Sequence, residues 1–139
     1  MVFMNISQST QIKDSVDKIW NTLRSFDGVE KYSFIVTRSE VDGNGLGAKR
    51  KCNVSMGNQE FEMCELLQSL DDKNYFMTVK LLDGPIQLRG MTFTYNVREI
   101  DENKSDLVIS TDVENSDAGS MAKSFFAIIG QGVQKFHEL

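Results

Sequence analysis

The chain has 139 residues, with 15 Lys+Arg against 20 Asp+Glu, a formal net charge of −5 and a pI near 4.9. Its length fits one domain over 1–139 that buries about 70% of its unfolded surface without a metal or disulfide, and 40% hydrophobic with 25% charged residues argues against disorder. The acidic balance speaks against nucleic acid, which calls for a basic patch, and against an anionic membrane surface.

In chain order, Met4, Ile6, Gln8, Thr10 and Ile12 alternate at period two and predict a first strand over 3–13. Asp14 reads as the N-cap of a helix of about three turns, with Val16, Ile19, Trp20 and Leu23 on one face. Asp27-Gly28 ends it. A short helix or turn over 29–33 carries Tyr32, and 34–41 reads as the second strand. Gly43, Gly45 and Gly47 lie between two strands rather than before a helix, so they fit a reversal and not a phosphate cradle.

Strands are then expected over 48–56 and 59–70, joined by Gly57-Asn58 as a two-residue type II′ turn. That turn sets Met56 against Gln59, Val54 against Phe61, Cys52 against Met63 and Arg50 against Glu65. One face therefore carries Arg50, Cys52, Val54, Met56, Phe61, Met63 and Leu67, and the nearly all polar opposite face carries Cys64. Two cysteines on opposite faces do not bond, and reduced thiols suit a cytoplasm. The first residues, Met1 to Asn5, show no basic-then-apolar leader, and no apolar run reaches the length of a membrane span.

Strands over 75–82, 88–99 and 107–114 complete the run, with turns at 71–74 and 83–85 and a polar loop at 101–106. Parity places Tyr75, Met77, Val79 and Leu81 inside, then Met91, Phe93, Tyr95 and Val97, then Leu107, Ile109, Thr111 and Val113. From Ser116 or Asp117, read as the cap, the spacing turns helical: Met121, Ala122, Phe125, Phe126, Ile129, Val133 and Phe136 share a face. His137, the single histidine, is placed exposed on the last turn, so neither a metal site nor a His-activated nucleophile is expected.

Successive antiparallel strands with only two helices to cover them make an α+β domain, a curved sheet wrapped around the long C-terminal helix. Such a grip leaves a cavity between helix and sheet. Arg50 and Glu65 are the sharpest polar exceptions on its inner wall. They either satisfy each other as a cross-strand ion pair, or Arg50 anchors an anionic or carbonyl end of a ligand while Glu65 orients it. Tyr32, Tyr95, Thr111, Met63, Met77, Met91, Phe93, Phe125 and Ile129 complete the candidate lining. Filling of the space by Phe125, Phe126, Met91 and Phe93 would remove the basis for small-molecule binding.

The first strand ending in Ile12, the helix residues Val16-Asp17-Lys18-Ile19-Trp20, Gly45 to Arg50 leading into a hairpin, Tyr75 through Gly84-Pro85, and Gly132-Val133 in the closing helix resemble the START-like SRPBCC superfamily, within it the polyketide cyclase/dehydrase and lipid-transport group. The resemblance implies the helix-grip fold of the birch-pollen allergen type. It covers nearly the whole chain, and Arg50 matches a position often basic in relatives. Tyr32 stands where many relatives have Trp, and Gln87 replaces a proline common after the Gly84-Pro85 turn. The resulting expectation is a carrier or sensor for a small hydrophobic ligand such as a lipid, polyketide or aromatic metabolite, without a cofactor. An aromatase/cyclase- or dehydratase-type enzyme using Arg50, Glu65 and Tyr95 is the alternative, and a regulatory module that binds a protein partner is the third.

Overall fold

The computed structural model describes residues 3–139. Strand β1 (Met4–Ile12) leads to helix α1 (Val16–Arg24) and a single 3-10 turn (Val29–Lys31). Strands β2 (Val36–Asp42), β3 (Lys49–Met56), β4 (Gln59–Asp71), β5 (Phe76–Asp83), β6 (Thr92–Asp101) and β7 (Lys104–Val113) follow, and helix α2 (Ser116–His137) closes the chain. The strands form one antiparallel sheet in the order β1-β7-β6-β5-β4-β3-β2. Each strand pairs with its chain neighbour, except that β1 crosses to β7. Breaks in register at Cys64/Glu65 and Leu67/Ser69 bend β4 in its middle, which curves the sheet around α2.

The β3–β4 register is the expected one, with Arg50 opposite Glu65 and Met56 opposite Gln59. Gly57 has φ 62° and Asn58 is not among the residues of positive φ, the sign pattern of a type II′ turn. The inner row of apolar residues alternates as read: Cys52, Val54, Met63, Leu67, Met77, Val79, Leu81, Phe93, Tyr95, Val97, Leu107, Ile109 and Val113 are buried. Cys52 and Cys64 are free thiols.

Several boundaries differ from the reading of the sequence. Ser15, not Asp14, caps α1, its hydroxyl accepting from the Lys18 amide, and Asn115, not Ser116 or Asp117, caps α2 by accepting from the Ala118 amide at 2.8 Å. Phe34 lies outside β2 and is exposed, and residues 86–90 form turns before β6 begins at Thr92. The polar loop at 101–106 shrinks to a two-residue turn at Glu102-Asn103. Tyr75 leaves the inner row because its backbone is left-handed, φ 54°. Its ring meets Trp20 edge-on, and its hydroxyl donates to Asp17 Oδ1 at 2.7 Å.

Two polar clamps fasten the helices. Asp72, expected in a solvated turn, accepts from Trp20 Nε1 at 2.8 Å and from Arg24 Nε at 2.6 Å, bonds that hold its carboxyl below the usual range. His137 is half-buried rather than exposed, its side chain only 7% accessible. Its Nδ1 lies 2.8 Å from Asp14 Oδ2 and its Nε2 2.8 Å from Thr22 Oγ1, so the end of α2 is tied to the start of α1. Burial pushes the Asp14 carboxyl up, but the His137 hydrogen bond and the Ser15 amide outweigh it and bring it below its ordinary 3.8. A carboxyl lowered by folding adds stability above its unfolded pKa, and that stability is lost as pH falls through the folded value. Asp14→Asn is therefore expected to lower the urea midpoint at pH 7 and to match the parent protein as pH drops well below about 4. An equal deficit at both pH values would refute this account.

Helix α2 lies against β1 and β7 and turns Ala118, Ala122, Phe125, Phe126 and Val133 into the core. Two glycines bring its C-terminal half in close. A Cβ on Gly132 would overlap the Tyr32 carbonyl oxygen, and one on Gly130 would overlap Thr10 Oγ1. No helix among the described residues is long and apolar enough to cross a membrane.

Candidate functional site

The centre of the space between sheet and helix is filled. Phe126 packs edge-on against Phe93 at 5.7 Å between ring centroids, and Met77, Phe93, Tyr95 and Phe126 are all buried. The broad cavity expected from the fold is therefore absent from the centre, and two smaller spaces share a wall at Phe125. An inner cavity of about 40 Å³ is lined by Val29, Ser33, Ile35, Val36, Arg50, Cys52, Val54, Met63, Glu65, Phe125 and Ile129. A surface groove of about 510 Å³ lies between the Gly57-Asn58 hairpin, the loop after β5 and the N-terminal half of α2, lined mainly by Met56, Gln59, Phe61, Pro85, Gln87, Met121, Ser124 and Phe125. Phe125 borders both, its ring edge-on to Phe61 at 6.5 Å.

At the inner end, β3 and β4 deliver Arg50 and Glu65 from directly opposed positions. Arg50 Nε donates to Glu65 Oε1 at 3.1 Å and Nη1 donates to the Phe26 carbonyl at 3.3 Å, while the guanidinium stacks 4.0 Å over the Phe26 ring. Cys52 Sγ also donates to Glu65 Oε1, at 3.9 Å. Both side chains are more than nine-tenths buried. Burial alone would favour a neutral Arg50, but the facing Glu65 carboxylate outweighs it and raises the pKa further, so the guanidinium stays charged. Burial pushes the Cys52 thiol up to about 12, too high for a nucleophile at neutral pH. Burial likewise raises the Tyr32 and Tyr95 phenols, which remain protonated donors.

Of the residues proposed from the sequence, Arg50, Glu65, Met63, Phe125 and Ile129 come together around the inner cavity. Tyr32 is buried beside Arg50 and borders a shallow pocket on the outer surface with Phe34 and Gly132. Tyr95 lies near the pair, whereas Met77 and Phe93 are core packing. Met91 is half-buried and borders a different cleft, with Phe3, Arg89 and Asp112. Thr111 spends its hydroxyl on the Thr92 carbonyl at 2.8 Å. Sequence reasoning missed Phe26, which has φ 64° and supplies both ring and carbonyl to Arg50, and missed Ser33 and Val29. Alternation could not find them, because they follow no strand.

No family model matches the chain. Over 112 residues, 78% of its length, it is 26% identical to the abscisic acid receptor PYL7 of Arabidopsis thaliana, and this match spans 53% of the receptor. The chain thus aligns with about half of that relative. Among solved structures, XoxI from Bacillus cereus superposes with a TM-score of 0.79 at 19% identity, over 96% of this chain and 94% of the other. The Zhui aromatase/cyclase from Streptomyces sp. R1128 does so with a TM-score of 0.77 at 13% identity, over 97% and 94%. An open sheet of seven antiparallel strands gripping one long helix, matched by these solved structures over nearly their whole length, is the helix-grip fold that the resemblance to the START-like SRPBCC superfamily implies.

Proposed function

We propose that the protein binds a small hydrophobic ligand, its apolar body in the groove and its polar end directed past Phe125 toward Arg50 and Glu65. The observation that carries this reading is the pairing of an apolar surface groove with a polar-ended cavity on the two sides of one aromatic ring. A drug-sized ligand wants a few hundred Å³ of apolar wall with a small number of placed polar groups. The groove supplies the first at about 510 Å³, and the buried pair supplies the second. A receptor and a cyclase among the similar proteins agree with a binding fold.

Cyclase-type chemistry would use the same groups, with the protonated Tyr95 phenol as donor and Glu65 as base. The raised Cys52 thiol and the commitment of Arg50 to Glu65 favour binding over catalysis.

Native mass spectrometry of the protein purified from its own host is expected to show a bound small molecule that is released on denaturation. Titration with Nile red, a neutral apolar dye, is expected to give saturable fluorescence that Met121→Glu abolishes, because this change puts a charge on the groove wall. Absence of both the co-purified molecule and saturable dye binding would reject the reading and leave the groove as a surface for a protein partner.

A further inference from the structure

We infer that the cavity behind Phe125 selects ligands whose buried end is a neutral hydrogen-bonding group, such as an alcohol, amide or ketone, and discriminates against carboxylates of the same shape. The inference rests on the ligand-binding reading above and narrows it to a chemical class.

Its basis is the charge arrangement along the path. Arg50 is the sole cation lining the inner cavity, and Glu65 lines it too. The positive charge is already matched by that carboxylate at 3.1 Å, by the Phe26 carbonyl and by the Phe26 ring. The groove outside carries one charged residue, Asp117, and it is acidic. A carboxylate ligand would travel past Asp117 and come to rest beside Glu65 with no unmatched cation to receive it. Like charges sharing a desolvated site oppose each other's ionisation, so one of the two carboxyls would have to take up a proton or withdraw.

The same pair suits a group that both donates and accepts. The bonds within it use Arg50 Nε and Nη1 and Glu65 Oε1, the Tyr32 phenol also lies against the guanidinium, and Glu65 Oε2 takes no part in the bonds of the pair. A hydroxyl or amide can donate a hydrogen bond to the carboxylate and accept one from the guanidinium or the Tyr32 phenol beside it, and a ketone can accept from either donor. The size agrees. About 40 Å³ holds one such group, a cavity needing at least about 10–15 Å³ to hold a single water molecule.

The test compares octanoate with octanamide and 1-octanol on the 139-residue chain at pH 8, followed by calorimetry and by the backbone amide signals of Phe61 and Phe125. Octanamide differs from octanoate by charge and hardly in shape. Octanamide and 1-octanol are expected to bind at least about tenfold more tightly than octanoate, and Glu65→Gln, which removes the competing charge, is expected to narrow or reverse that order. Because the first comparison needs no variant, it holds even where Glu65→Gln fails to fold. Octanoate binding as tightly as octanamide would overturn the inference while the ligand-binding reading stands. If none of the three moves the Phe61 or Phe125 signals, both fall together.

Discussion

Arg50→Ala is expected to destabilise the protein by about 3–5 kcal/mol, because it leaves the Glu65 carboxylate buried without its cation. Glu65→Ala is expected to cost a similar amount by stranding the guanidinium. The double replacement Arg50→Met/Glu65→Leu should recover most of the loss, since two apolar side chains of comparable volume remove both desolvation penalties at once. Urea unfolding of the two single variants and the double variant gives the coupling directly. Additive losses would mean that the residues do not act as a pair. Recovery of stability in the double variant together with loss of Nile red binding would locate the value of the pair in recognition rather than in folding.

Gly132→Ala is expected to cost about 3 kcal/mol or more, since its Cβ would overlap the Tyr32 carbonyl and only a movement of backbone can relieve that. Three glycines of one helix give an internal comparison. At Gly130 the obstacle is the Thr10 side chain, which can turn aside in part, so the loss should be smaller. At Gly119 the added methyl would meet Ile6 and Val113 at 3.5 Å, ordinary contact, and alanine's better helix propensity should make that change neutral or stabilising by up to about 1 kcal/mol. Thermal unfolding should rank the variants Gly119→Ala, Gly130→Ala, Gly132→Ala from most to least stable. Any other order would contradict the close approach of α2 to the segment around Tyr32.

The sequence was most legible where one local rule fixes a long-range relation. Gly57 and Asn58 set a two-residue turn, and period-two alternation then dictates that Arg50 faces Glu65 and that the two cysteines point apart. The outer polar row and the inner apolar row follow from the same count. Legibility failed where tertiary contact decides. Tyr75 obeys the parity of β5 in sequence, yet a left-handed backbone carries it to Trp20. His137 looks like a terminal surface residue until α2 is laid beside α1 and brings it to Asp14 and Thr22. Phe26 has no neighbours in sequence that announce a platform for Arg50, because the two lie 24 positions apart and are brought together only by the tertiary fold. The cavity itself was overestimated for a related reason. Alternation says which side chains point inward, but how Phe93 and Phe126 interlock depends on the crossing of α2 over the sheet.

The position of Phe125 between groove and inner cavity bears on rates as well as on affinity. With its ring edge-on to Phe61, Phe125 borders both spaces, and under the binding reading proposed above a ligand spanning them would have to pass that ring. If the ring must swing aside to admit it, the apparent affinity of such a ligand would fall below the intrinsic one by the fraction of molecules in which it has done so. The same ring, closed behind a bound head group, would slow departure. A short ligand confined to the groove would be free of both effects, and ligand length would then set residence time separately from contact area.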